Sequence, residues 1–318
     1  MNIDLVTKGV NSHLKDYVVP DISTGTRKEF QERVLAPLDN YSLNDSELAT
    51  ARALVRGHFT YRTFNEKFPK VVSAEESFSG ELPGVDGLKF SHRLDVVVQD
   101  EDYGPQIIDW KTGSKAWLTD PHLRSSYEHS LQANAYAHYH NVQTVRFGNL
   151  VKLGYRQKKT ETAKEFEQRQ LVEYETKPWD YFFDVIVVPA FTHELPWELY
   201  EIHQRQEYIR KNISRAVKNR SACSGCGYRG VCTGLVSIDD DQYFKDKTPT
   251  VDGPYTSVSQ IGVYHQCERK WYHNYVDWRE PKRRDVSALE IGKAVHDCLE
   301  VWSKGINEFQ AKEGLFDV

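Results

Sequence analysis

No stretch of this sequence is apolar for long enough to cross a bilayer. The longest candidate, Phe182 to Phe191, is interrupted by Asp184 and Pro189, whereas a spanning helix needs about 20 apolar residues. A secretion signal is missing too, because the opening MNIDLVTKGVNSHLKDY lacks the basic-then-apolar pattern. These absences lead us to expect a cytoplasmic protein with no membrane partner. Cysteine is scarce, with five in 318 residues, and that excludes a disulfide framework in a cytosolic chain of this size. Positive charge is not in excess. The net charge is −5, so bulk composition does not advertise a nucleic-acid binder, although basic residues can cluster locally and an acidic centre lowers the total by itself. Internal repeats are absent: residues 255–318 resemble nothing in residues 1–254.

What is present is a globular composition, with 27% charged and 12% aromatic residues, in a chain long enough to bury one large core or two smaller ones. Residues 1–44 read as a helical or irregular segment, with helix over Leu5 to Val18, a break around Pro20 to Thr26 and a further helical turn over Lys28 to Leu35. Asn44-Asp45-Ser46-Glu47 offers N-capping residue types to a helix running to about Phe64. Val71–Phe78, Leu88–Val98 and Pro105–Trp110 read as a meander of antiparallel strands. Helical spacing returns over Ser126 to Tyr139. Strands are then expected over Arg146–Tyr155 and Gln168–Tyr174, with a further apolar segment at Phe182–Val188. A long amphipathic helix, Trp197 to Lys218, leads into the cysteines. The polar stretch 236–254 reads as a linker, and two helices are expected beyond it, Ser257 to Trp278 and Val286 to Trp302.

Three groups of residues carry chemistry. In Gln106-Ile107-Ile108-Asp109-Trp110-Lys111-Thr112-Gly113, a buried strand puts Asp109 and Lys111 on one face before Thr112 and Gly113 turn the chain. A second acid, Asp95, lies in the preceding apolar strand. Carboxylates in such strands are costly unless something binds them, and magnesium or manganese would do so. The alternative is a surface salt bridge on an edge strand. Cys223-x2-Cys226-x5-Cys232 supplies three thiolates. One pair and a lone third cysteine point to an iron–sulfur cluster with a distant fourth cysteine. Zinc, completed by His203 or Cys267, is the alternative. Gly292-x3-His296-x3-Glu300 puts three residues on one helix face. They form a ligand set only if that face meets Asp95 and Asp109. His13 repeats the Gly-x3-His spacing from Gly9, but Tyr17 stands where the acid would be.

Together these residues resemble the PD-(D/E)XK nuclease superfamily, in its RecB/AddB-like branch that includes the CRISPR-associated iron–sulfur exonucleases. Arg93-Leu94-Asp95 is similar to that family's G-R-x-D, and Ile108 to Gly113 to its V-D-Y-K-T-G. Gln132 and Tyr136 match its Q-x3-Y, Gly292, His296 and Glu300 its G-x3-H-x3-E, and Ser257 to Cys267 its S-x-S-x-I…C-P. The resemblance implies an α/β fold with α+β character: a restriction-endonuclease-like central mixed sheet flanked by helices. It implies a metal-dependent deoxyribonuclease, an exonuclease or endonuclease, of DNA recombination, repair or phage- or CRISPR-type processing. DNA is then the partner, single-stranded or with double-stranded ends, with a helicase or recombination protein and a homo-oligomer as further partners. His296, Asp95 and Asp109 would bind Mg2+ or Mn2+, and Lys111 would be the catalytic lysine. Gln132, Tyr136 and Glu300 would complete the site. Cys223, Cys226, Cys232 and Cys267 would hold a 4Fe-4S cluster, and Cys298 has no role in the motif.

The order departs from the family. The motifs that open its domain here follow the others, His92 stands in place of the glycine, and Glu268 in place of the proline. Circular permutation accounts for the order: residues 45–235 form the nuclease core with the cysteine cluster, and 255–318 complete the same domain. In the competing account 255–318 begin a truncated second copy. Two other functional classes stay open, a catalytically incomplete DNA-binding module and a zinc-stabilised scaffold.

Overall fold

The computed structural model describes residues 27–65, 68–82, 84–115, 120, 127, 130–176, 183–189, 194–248, 255–282 and 287–312. The expected helix over Leu5–Val18, with His13, lies outside the described residues. The chain divides into two compact units. One is built from residues 7–76, 93–190 and 286–318, the other from 1–6, 77–92 and 191–285. Asp95, Asp109 and Glu300 fall in the first, and the four clustered cysteines in the second.

The acid-bearing unit opens with helix α1 (Arg27–Leu35), a 3-10 turn (Ala36–Asn40) and helix α2 (Asp45–Asn65). The predicted cap of α2 forms, with Asn44 and Glu47 exchanging hydrogen bonds of 2.9 and 3.0 Å as a reciprocal capping pair. Strands β1 (Lys70–Glu81), β2 (Lys89–Asp100), β3 (Gly104–Gly113), β4 (Thr144–Val151) and β5 (Phe183–Pro189) lie side by side in that order. The unit boundary falls inside β1 and β2. β3 is antiparallel to β2 and parallel to β4, which in turn is antiparallel to β5. The sheet is therefore mixed and flanked by helices, as the α/β expectation had it. The parallel β3–β4 step needs a crossover, and helix α3 (Leu131–His140) lies on it.

Two local readings need correction. β3 does not turn at Thr112 and Gly113, because these residues pair with Leu150 and Val151 of β4 and extend the strand. Gln168–Tyr174 is not a strand but part of helix α4 (Ala163–Thr176). Phe166, Gln170 and Tyr174 recur every four residues as its buried face, a period that the short apolar pair Leu171-Val172 obscured. The last described element is helix α9 (Ser287–Lys312), longer than expected. Ile291, Val295, Leu299, Trp302, Ile306 and Phe309 along it share one core with Val34 and Leu38, with Leu54 of α2, and with Val96, Ile108 and Trp110 of the sheet. The C-terminal helix is thus a central wall of this unit.

The cysteine-bearing unit holds helix α5 (Leu195–Arg210), the short helix α6 (Arg229–Cys232), and helices α7 (Val258–Gln266) and α8 (Glu268–Tyr275). The single helix expected over Ser257–Trp278 is two, broken where Cys267 takes an extended backbone, φ −170° and ψ 119°. The stretch expected to be a linker is partly folded: β6 (Phe244–Asp246) pairs with β8 (Arg279–Pro281), and Arg279 bonds Asp241 and Asp246 at 2.6 Å each. β7 (Tyr255–Ser257) runs parallel to residues 89–91 of β2.

Candidate active site and cysteine cluster

The two acid strands meet where their ladder ends. Val96 pairs with Ile108, and the next residues toward that end are Asp95 and Asp109. There a side chain replaces the ladder, and the Trp110 N–H donates to Asp95 Oδ2 at 2.6 Å. Asp109 is buried and ion-paired with Lys111, two residues further along the same strand face. Helix α3 brings Gln132 and Tyr136, one turn apart, onto this pair. The Gln132 amide donates to Asp109 Oδ1 at 3.0 Å and to the Tyr136 hydroxyl at 2.6 Å, while its carbonyl accepts from Lys111 Nζ at 3.3 Å. Tyr136 in turn donates to the Arg93 carbonyl at 3.0 Å. Burial, and then the charge of Asp109, push its phenol well above the ordinary range, so it remains a donor at every working pH.

His296 reaches the same place from α9, with Nδ1 3.6 Å from Asp95 Oδ2. The helix comes this close to β3 because position 292 has no side chain: a Cβ there would stand 3.2 Å from Thr112 Oγ1, tighter than ordinary contact. Sequence reasoning missed one residue here. Glu75 of β1 sits with φ +55°, a left-handed backbone uncommon for glutamate, and its side chain is buried. One ligand atom each from Glu75, Asp95 and His296 lie within 4.8 Å of one another. The predicted ligand Asp109 is not in that trio, being engaged by Lys111 and Gln132. Glu300, a turn beyond His296, is buried and paired with Lys304. The only sequence signal for Glu75 was an acid doublet, Glu75-Glu76, inside an otherwise strand-like run.

Negative charge is crowded here. Burial, and then the neighbouring Asp95, push Glu75 up to about 8. Burial and then Asp109 raise Asp95, with His296, Lys111 and the Trp110 N–H acting the other way. Two carboxylates and an imidazole converging at one point suit a hard divalent cation. A cation bound here has to displace a proton. Mn2+ should therefore bind more tightly at pH 8.5 than at pH 6, as read by calorimetry, and equal affinities would contradict the site. In the metal-free protein the sign for stability is opposite. A carboxyl raised in the folded state binds more protons there than in the unfolded chain, so its stabilising effect is lost as pH rises through about 8. The melting temperature should drop by several degrees from pH 6 to pH 9, and Mn2+ should restore it.

In the other unit, the predicted cysteines gather. Gly225, with φ +74°, makes the tight turn between Cys223 and Cys226 that a side chain would strain. The break at Cys267 is held against the segment leading into that turn. Asn219 Nδ2 donates to the Gln266 carbonyl at 2.8 Å, Cys267 Sγ lies 3.8 Å from the Val217 carbonyl, and Glu268 accepts from the Val217 N–H at 2.6 Å and from Arg205 at 2.9 and 3.0 Å. Burial raises the Cys232 thiol, Arg269 and Lys218 lower it, and Cys267 and Cys226 raise it further, which sets all three sulfurs in one electrostatic neighbourhood. All four thiols are free. No three of them come within 4.8 Å of one another, whereas a zinc tetrahedron with bonds of about 2.3 Å has sulfur–sulfur edges of roughly 3.8 Å. The fifth cysteine, Cys298, is a core thiol of α9.

A model of the PD-(D/E)XK nuclease superfamily matches residues 18–233 and 255–316. Searches of curated proteins and of solved structures return no match.

Proposed function

The chain belongs to the PD-(D/E)XK nuclease superfamily, and we propose that it is a metal-dependent deoxyribonuclease, an exonuclease serving DNA recombination, repair or phage- or CRISPR-type processing. The observation that carries this reading is the meeting of Asp95, His296 and the Asp109–Lys111 pair at one point. A helicase or recombination protein is the partner class it implies.

Asp95 and His296, with Glu75 beside them, would hold Mg2+ or Mn2+. Such an ion lowers the pKa of a bound water and offsets charge on phosphate oxygens. Asp109 fixes the Lys111 ammonium, and Gln132 holds both through its two amide atoms, so the lysine is aimed without reorganisation. Lys111 then supplies positive charge, or a hydrogen bond, to the attacking water or the phosphate. Tyr136 braces Arg93, and with it the stretch of β2 that carries Asp95.

We further propose that residues 255–312 complete the same domain in permuted order. In support, α9 shares a core with α2 and the sheet and delivers His296 to Asp95, and both segments match one family model. The four clustered cysteines would hold a structural 4Fe-4S cluster, with zinc as the alternative occupant.

The test uses end-labelled single- and double-stranded DNA with Mn2+, Mg2+ or a chelator. Wild-type protein should release labelled nucleotides only with metal. Metal-independent DNA binding without any cleavage would instead support the incomplete nuclease-like binding module. Anaerobically purified protein should contain iron and sulfide, and colourless protein carrying zinc alone would replace the cluster with zinc.

A further inference from the structure

The Glu75 carboxylate has two possible cationic partners. Arg93 Nε is ion-paired with Glu75 Oε2 at 2.7 Å, and an oxygen of the same carboxylate lies within 4.8 Å of ligand atoms on Asp95 and His296. Glu75 is buried, with its side chain 8% exposed, while Arg93 is 41% exposed. The Arg93 backbone is tethered through its carbonyl to Tyr136, so only the side chain is free to leave. Arg93 and Asp95 are two residues apart on β2 and share a face, which keeps that guanidinium at the mouth of the site.

We propose that Glu75 is a shared ligand: in the metal-free protein it is held by Arg93, and in the loaded protein by the divalent cation at Asp95 and His296. Arg93 is thereby released to bind a substrate phosphate. The inference rests on the metal-site reading above and extends it to a carboxylate and an arginine outside the predicted ligand set. Three considerations support it. Glu75, Asp95 and Asp109 form a buried cluster of acids in which Arg93 is the most exposed cation. Once a divalent ion adds positive charge, the arginine is the partner most easily given up. A guanidinium has the planar fork that suits phosphate oxygens. The left-handed backbone at Glu75 is an unfavourable conformation that aims this one side chain inward from β1. Metal binding and phosphate binding are then coupled through one side chain, and the protein grips DNA tightly only when its cation is in place.

The experiment measures Mn2+ affinity without DNA, by calorimetry and by loss of the free-ion EPR signal, in wild type, Glu75→Gln, Arg93→Met and Asp95→Asn. Glu75→Gln should weaken binding by about tenfold or more, as loss of a charged ligand does. Arg93→Met should tighten it by roughly threefold to tenfold, because a competitor for Glu75 is gone. In a Lys111→Met background, Mn2+ should strengthen binding of a short DNA duplex, and adding Arg93→Met should remove that strengthening. Wild-type Mn2+ affinity in Glu75→Gln, or weakened affinity in Arg93→Met, would overturn the shared-ligand proposal while Asp95→Asn still loses the metal. No Mn2+ binding by wild type would overturn the metal site itself and this proposal with it. If Glu75→Gln does not fold, the sign of the Arg93→Met effect decides alone.

Discussion

Asp109→Asn and Lys111→Met should each slow DNA cleavage by a hundredfold to a thousandfold, roughly the effect of removing one preorganised charge from a transition state. DNA binding should remain within a few-fold of wild type. The two residues act as a unit, because Asp109 is buried and ion-paired with the lysine it aims, and Gln132 bridges the pair. The double variant should therefore be little slower than either single one. Asn keeps the volume of Asp109 and Met keeps the lysine stem, so loss of fold is not the expected cause. Circular dichroism and the melting transition check this. A double variant whose losses multiply would mean that the two residues contribute separately.

The second large effect concerns the C-terminal helix. A chain ending at Pro254 should fail to give a cooperatively folded acid-bearing unit. Deleting α9 removes Ile291, Val295, Leu299, Val301, Trp302, Ile306 and Phe309 from the shared core. At roughly 1.5–3 kcal/mol for each large apolar side chain, the loss is on the order of 10 kcal/mol or more, as large as the whole stability of a typical domain. Trp302 is the centre of this contact, edge-on to His58, Phe68 and Trp110 at centroid distances of 5.4, 4.8 and 6.2 Å. The single substitution Trp302→Ala should by itself cost about 3–5 kcal/mol in urea unfolding. Were residues 255–318 the stump of a second copy, the shortened chain would fold and melt as the full one does. A cooperative transition of unchanged midpoint in the shortened protein would thus refute the permuted domain.

The parts of the site readable in the sequence were those whose chemistry is local. Asp109-x-Lys111 sits in an apolar strand with period-2 geometry, and Gln132-x3-Tyr136 spans one helical turn, so their shared faces follow from spacing alone. His296 was readable as a candidate, but whether it met Asp95 depended on packing between the two ends of the chain, which spacing does not encode. Glu75 was not readable, because its inward aim comes from a left-handed backbone at one position of β1 and not from any pattern. The misread segment Gln168–Tyr174 shows the same limit at the level of elements. Leu171 and Val172 suggested a strand, yet the buried face of α4 runs through Phe166, Gln170 and Tyr174, and tertiary burial outweighed local composition. The extended backbone at Cys267 split an expected helix, and the predicted linker is partly folded because Arg279 draws Asp241 and Asp246 onto itself.

The central claim is that one cation is held jointly by an acid of β2 and a histidine from the other end of the chain. Pulsed EPR of the Mn2+-loaded protein tests it most directly. Wild type should show a 14N hyperfine coupling from a directly bound imidazole, and His296→Gln should lose it while keeping its fold. A Mn2+ spectrum without nitrogen coupling in wild type, or one unchanged in His296→Gln, would contradict the claim.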